Sequence, residues 1–527
     1  MEYTSFIYII FILISLLFYY LLPKKCQWAV LLVASLVFYV IFSEALVLVM
    51  LASTLLVYLG GLKLAAINSD VKAKKKELER PDFKAYKKLG EKKKKSVLTV
   101  IVVLELAFIG VLKYGNFFGS LADSFLTLFT HKSVIPTFNL IVPLGISYYT
   151  LMCISYITDV YRGTIKAERN FFKVLLFVCY FPHIIEGPFD RYDALSKQFS
   201  AVHKFDYDKF KNGALLLMFG MFKKLVIADR AGIIASGIFD SADELGGTAI
   251  ALGVLVYTLQ LYADFSGCIE IVSGTSEMFG IQIAENFRQP FFSRSVGEFW
   301  RRWHITLGAW LKDYVFYPAA ISGGFKKVNA FAKDRFKSEN LKRVVPAAYA
   351  LFFVWFCNGL WHGTSGKYIV YGLYYYVIMM LGEFTKPITD KLLGKVNREG
   401  RTFKAFQLCR TFLLVNLGML IFRSATLGEC AKLLGRIFTS VNFKQLFDGS
   451  VVFDGLVEWD WAILIIGIAV MLIIGIIKEK GTDVRAALDT KPLALRWAVY
   501  IVLIFATIIF GIYGGNFENA GMIYAEF

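Results

Sequence analysis

The chain has 527 residues, of which 57% are hydrophobic, 16% aromatic and only 19% charged, with a formal net charge of +17. So apolar a balance excludes an ordinary soluble globule. The placement of the positive charge excludes a nucleic-acid binder, because Lys and Arg fall in short loops between apolar runs and no recognition motif accompanies them.

Runs of about 18 or more apolar residues are candidates to span a bilayer. They occur near 4–22, 27–43, 45–67, 96–114, 138–161, 213–239, 248–272, 344–361, 366–384, 405–423, 460–478 and 494–514. The first run follows Glu2 rather than a basic stretch. It leads into Pro23-Lys24-Lys25 with no small-residue cleavage site. It therefore reads as a span with its N-terminus outside, not as a cleaved signal. Lys24 and Lys25 place the first loop in the cytoplasm, and Ser43-Glu44 forms a short outer turn. Residues 68–95, dense in lysine, are expected to form a cytoplasmic and largely helical loop that touches anionic headgroups. A docking site for a partner is the sharper alternative. Residues 115–137, with His131, are then outside. The span rich in Tyr148, Tyr149, Tyr156 and Tyr161 returns the chain to Arg162, Lys166 and Arg169.

Residues 171–204 break the pattern. They are apolar but interrupted by Pro182 and Pro188, and they carry His183, Glu186, Asp190 and Arg191. Irregular backbone at membrane depth is tolerated only where protein or a watery cavity surrounds it, so the segment reads as re-entrant or interfacial. Asp206-Tyr207-Asp208 is formally a metal–nucleotide DxD, but no soluble nucleotide-binding domain surrounds it. It reads as a helix N-terminal cap. Lys223 and Lys224 lie inside an apolar run and are expected to snorkel towards an interface. The basic stretches 322–343, 386–404 and 478–496 read as loops, the first of them cytoplasmic. The seven cysteines lack CxxC spacing, and Cys153, Cys179, Cys268 and Cys357 lie in or beside apolar runs as core thiols. With no internal repeat and no soluble insert, residues 1–527 read as one membrane domain.

Candidates for chemistry concentrate between Gln260 and Gly363, where two of the five histidines lie. Trp300, Trp303, His304, Leu307 and Leu311 have helical spacing, with Arg301 and Arg302 beside them, which suggests one amphipathic interfacial helix. On that placement His304 is either a structural histidine at headgroup level or a functional one. His362 follows a long apolar run and is bracketed by Gly359 and Gly363, which would let backbone or substrate approach. An ionisable group at membrane depth is costly and so is a functional candidate, and a neutral imidazole suits a general base. The rival reading is a satisfied histidine at a helix end. Asn358, one turn earlier, could orient the ring or bind substrate. There is no GxSxG elbow, Walker A loop or HExxH helix. That favours direct transfer to a bound acceptor.

The stretch LQLYADFSGCIEIVSGTSEMFGIQIAENFRQPFFSRSVGEFWRRWHITLGAWLKDYVFYP, followed by NGLWHG at 358–363 and preceded by FPHIIEGPFDRY at 181–192, resembles the membrane-bound O-acyltransferase superfamily. The likeness is to its alginate O-acetylation branch and also to its teichoic-acid D-alanylation branch. It is strongest over about 140–380. His183 and the ending GMIYAEF depart from the family pattern.

The resemblance implies an all-α polytopic membrane fold, with a ring of tilted transmembrane helices around a central tunnel and with re-entrant and interfacial helices. It implies that His362 is catalytic and His304 the second motif histidine, with Trp303, Trp361 and Asn358 lining the tunnel or substrate. It also implies an acyl group, acetyl in the first instance, drawn from acetyl-CoA or another acyl thioester such as an acyl-carrier protein. The recipient would be an extracellular polysaccharide or a membrane or extracytoplasmic acyltransferase partner. No permanently bound cofactor, no metal and no nucleic acid are expected, and the setting is a cell membrane.

Overall fold

A computed structural model describes residues 3–513, apart from 131, 134, 137, 139–140, 395 and 454–455. Glu2, His131 and the ending GMIYAEF lie outside the described residues. The protein is all-helical. Among the described residues the one isolated bridge pairs Phe287 with Trp303. Eight described helices are long and apolar enough to cross a membrane. The chain is thus a multi-pass membrane protein.

Four apolar runs do not appear among those eight, for local reasons. The first helix, Phe6–Leu21, has only 16 residues. The run 138–161 becomes helical only at Ile146, after Pro143 and the left-handed Gly145. The run 213–239 is a continuous helical path that carries Lys223, Lys224, Asp229 and Arg230. The run 366–384 is the Gly366–Leu392 helix, whose polarity comes from its tyrosines and its charged end.

The chain divides into two compact units, Met1–Phe210 with Thr275–Ala284, and Lys211–Gly274 with Glu285–Phe527. In the first, Val47–Glu77 and Arg80–Leu112 form a hairpin of 31- and 33-residue helices. At ~1.5 Å per residue each is well over 40 Å long, more than the ~30 Å hydrocarbon layer needs. Their lysine-rich ends therefore extend past the apolar zone, and 68–95 is almost wholly helical as expected. Phe171–Cys179 is a short helix, and the chain from Val174 to Asp190 is buried although irregular beyond Tyr180. Two of its side chains bond to backbone. His183 Nε2 donates to the Phe177 carbonyl at 3.2 Å, and Asp190 Oδ1 accepts from the Ala284 amide at 3.0 Å. Asp206 caps the next helix, accepting from the amides of Asp208 and Lys209 at 3.0 and 3.2 Å.

The second unit holds both candidate histidines. Its first helical path runs from Tyr207–Met221 through a π-helical stretch, Phe222–Ala228, into Asp229–Asp240. It packs on the Gly247–Met278 helix along a glycine seam. A Cβ on Gly220 would stand 2.5 Å from the Gly267 carbonyl oxygen, and one on Gly274 would stand 2.4 Å from that of Gly213. No larger residue allows backbones so close.

Lys223 and Lys224 do not snorkel. Both are buried, and both are paired. Lys223 meets Glu270 at 2.8 Å, and Lys224 meets Asp264 at 2.7 Å and Asp229 at 2.8 Å. Two carboxylates on the facing helix make an inward course cheaper than reaching for an interface. The basic stretch 322–343 is also not a simple loop. It contains the Gly323–Arg335 helix and the start of Glu339–His362.

Candidate active site

The expected amphipathic helix through Trp300 and Leu311 is broken at the histidine. Val296–Arg302 ends as Trp303 turns extended, and a second helix begins at Ile305. Between them His304 adopts φ 46°, ψ 52°, one of two described non-glycine residues with positive φ. A left-handed residue with a side chain costs about 1 kcal/mol or more and persists only where its surroundings impose it. Here the imposing element is the stretch 286–288, which lies antiparallel to 302–305. The Arg288 amide donates to the Arg302 carbonyl at 2.9 Å, and the Ile305 amide to the Asn286 carbonyl at 3.0 Å. Helical spacing was therefore a misleading guide, because long-range backbone pairing overrides the local period.

Asn286 is the pivot of this arrangement. Its side-chain Oδ1 lies 3.1 Å from His304 Nδ1 and accepts from the Thr306 amide at 3.2 Å and the Thr306 hydroxyl at 2.8 Å. The His304 ring is buried, edge-on to Phe265 with centroids 4.8 Å apart, and 5.4 Å from Trp361. Burial and the neighbouring His362 hold its pKa well below the usual imidazole range. The ring is thus neutral.

His362 is placed differently. It ends the regular Glu339–His362 helix. Its ring stands edge-on to Tyr371 at 5.5 Å and Phe422 at 5.4 Å, and 5.0 Å from Trp361. Tyr371 comes from the Gly366–Leu392 helix and Phe422 from Arg401–Arg423. Gly359 and Gly363 do admit a close neighbour, and the neighbour is protein. A Cβ on Gly359 would stand 2.5 Å from the Tyr368 carbonyl oxygen, and one on Gly363 would stand 2.4 Å from the Tyr368 ring.

The structure therefore brings both His304 and His362 against one indole, Trp361. Asn358 is buried on the same helix, and its Nδ2 makes no hydrogen bond among the described residues. Trp303 is fully buried and packs with Phe287, Phe299 and Tyr262, and it reaches the His304 ring through Phe287 and Phe265. Sequence reasoning missed Asn286, Thr306, Phe265, Tyr371 and Phe422. An asparagine in an apolar neighbourhood was a weak signal for the first, and nothing local marked the aromatic residues. Among the described residues no group of three or more His, Cys, Asp or Glu side chains is placed to hold a metal ion.

A membrane-embedded chain with two buried histidines at one aromatic wall is the setting in which comparison with known proteins becomes informative. Residues 125–332 match the MBOAT, membrane-bound O-acyltransferase family. The chain is 33% identical over 429 residues to the probable alginate O-acetylase AlgI of Pseudomonas syringae pv. tomato, covering 81% of this chain and 73% of that one. It is 29% identical over 379 residues to the peptidoglycan O-acetyltransferase of Helicobacter pylori, covering 66% and 64%. It is 32% identical over 292 residues to the teichoic acid D-alanyltransferase of Bacillus subtilis, covering 54% and 70%. The chain belongs to the membrane-bound O-acyltransferase family. It is an O-acyltransferase.

Proposed function

We propose that the protein transfers an acyl group, acetyl in the first instance, from an intracellular thioester donor to hydroxyl groups of an extracellular or cell-wall polysaccharide. Transfer is direct or through an extracytoplasmic partner that completes it, in a cell membrane with residues 68–95 on the cytoplasmic side. Acetyl-CoA is the simplest donor. The observation that carries the reading is the pair of buried imidazoles against Trp361, in a protein whose relatives are named for acyl transfer to alginate, peptidoglycan and teichoic acid.

In this reading His362 takes the proton of the acceptor hydroxyl as its oxygen attacks the thioester carbonyl. The new C–O bond forms, the C–S bond breaks, and the imidazolium returns its proton to the departing thiolate. His304 lines the same site. Trp361 and Trp303 keep the surroundings apolar, which limits hydrolysis of the donor. Asn358 offers an amide donor one helical turn from His362.

The deciding measurement is the acyl-ester content of surface polymer from cells carrying His362→Ala at normal protein level. Loss of the ester supports the reading, and unchanged content overturns it. A second reading, D-alanyl transfer from a carrier protein to teichoic acid, is favoured by the likeness to the D-alanyltransferase. Analysis of the hydrolysed polymer for acetate or D-alanine separates the two.

A further inference from the structure

We infer that Asn286 is a positioning residue for the acyl transfer, holding His304 in one tautomer and one orientation so that Nε2 is the atom that takes a proton or hydrogen bond. The inference rests on the reading of His304 as part of the transfer site.

One atom beside Asn286 has no choice of role. The Thr306 backbone N–H can only donate, and it points at Asn286 from 3.2 Å. The atom it meets is therefore the amide oxygen, because a flipped side chain would set N–H against N–H. The Thr306 hydroxyl, 2.8 Å away, agrees with that assignment. An amide oxygen cannot donate, so His304 Nδ1, 3.1 Å away, must carry the hydrogen. In the neutral ring Nε2 then bears the lone pair. Neutrality follows from the apolar burial, with Phe265 edge-on to the ring and Trp361 beside it.

The frame that holds Asn286 is as specific as the bond. Its backbone carbonyl accepts from Ile305 while its side chain reaches to both residues flanking Ile305. One residue thus fixes the left-handed turn and the imidazole together. This has a chemical consequence. A resting His304 has no Nε2–H to offer an oxyanion. It acts on an incoming hydroxyl or thiol as an acceptor. The titratable group that His304 feels is His362, at the end of Glu339–His362, while Phe265 of the Gly247–Met278 helix and Trp361 meet it with their rings.

The test uses the purified full chain in micelles with 15N-labelled imidazoles, and His304→Gln to assign the signal. The expected result is a pyrrole-type Nδ1 and a pyridine-type Nε2 for His304 at neutral pH. The opposite tautomer overturns the inference. Asn286→Asp keeps the acceptor and adds a charge, so the His304 titration should move to higher pH while the tautomer stays. Asn286→Leu should give a mixed tautomer and roughly tenfold to hundredfold slower acylation, by analogy with loss of the outer partner of a metal-bound histidine. If Asn286→Leu does not fold, Asn286→Asp still decides, since an unmoved His304 titration also overturns the inference. Failure of the acyl-transfer reading is separate. It would show as full acylation in His362→Ala and His304→Gln whatever the tautomer.

Discussion

The two histidines meet the same indole but are held by different physics. His304 sits at a break between two seven-residue helices, in a left-handed conformation set by hydrogen bonds to a stretch about eighteen residues earlier in the chain. His362 sits at the end of a 24-residue helix, and rings and glycine contacts place it. A polar frame fixes a proton's location, because donors and acceptors are distinct. An aromatic cage fixes only a position, and leaves an imidazole able to change which nitrogen bears hydrogen. The contrast suits a division of labour in which one ring receives a defined contact and the other carries a proton in and out.

The comparison breaks first at His362. His362→Ala should lower acylation by about 10²–10⁴-fold, the usual worth of a general base, measured as ester released from the polymer at equal protein level. A loss equal to that of His304→Ala would erase the division. Lys224→Met tests the helix pair that carries Phe265. It leaves the buried Asp264 and the half-buried Asp229 without their cation, and should cost about 3–5 kcal/mol in stability, read by thermal unfolding in detergent. If the melting temperature does not change, those pairs are not needed to hold the two helices together.

Gly359→Ala acts on the His362 side alone. Its Cβ would stand 2.5 Å from the Tyr368 carbonyl oxygen, and relief of such overpacking costs about 1–3 kcal/mol. The 15N signals of His304 should stay in place while those of His362 move. The smallest effect is expected from Thr306→Val. It removes one of the donors to Asn286 Oδ1, worth about 0.5–1.5 kcal/mol, and should slow acylation less than roughly tenfold. A larger loss would show that the hydroxyl itself meets substrate.

Much of this was legible in the sequence, and the reasons are physical. Apolar runs with basic flanks report membrane helices because length and desolvation act locally. Pro182 and Pro188 marked irregular buried backbone for the same reason. His362 was legible because a histidine closing an apolar helix is conspicuous. What failed was everything that depends on distant partners. The helical face through Trp300 and His304 was broken by pairing with 286–288. Lys223 and Lys224 were drawn inward by Asp264 and Glu270, some forty residues on. Trp303 and Trp361 looked alike in the sequence. Of the two, Trp361 touches both histidine rings, while Trp303 packs with Phe287.

The glycine seam between Tyr207–Met221 and Gly247–Met278 has a mechanical consequence. Helices in backbone contact at Gly213, Gly220, Gly267 and Gly274 interlock, and neither slides along the other without a clash. The pair is a stiff wall, and Phe265, the ring set against His304, stands on it. The Gly366–Leu392 helix is locked onto Glu339–His362 in the same way, since a Cβ on Gly372 would stand 2.3 Å from the Trp355 carbonyl oxygen and one on Gly359 would stand 2.5 Å from that of Tyr368. Any widening that admits a bulky acyl group should therefore come from rings such as Tyr371 and Phe422 turning on fixed helices, not from helices sliding.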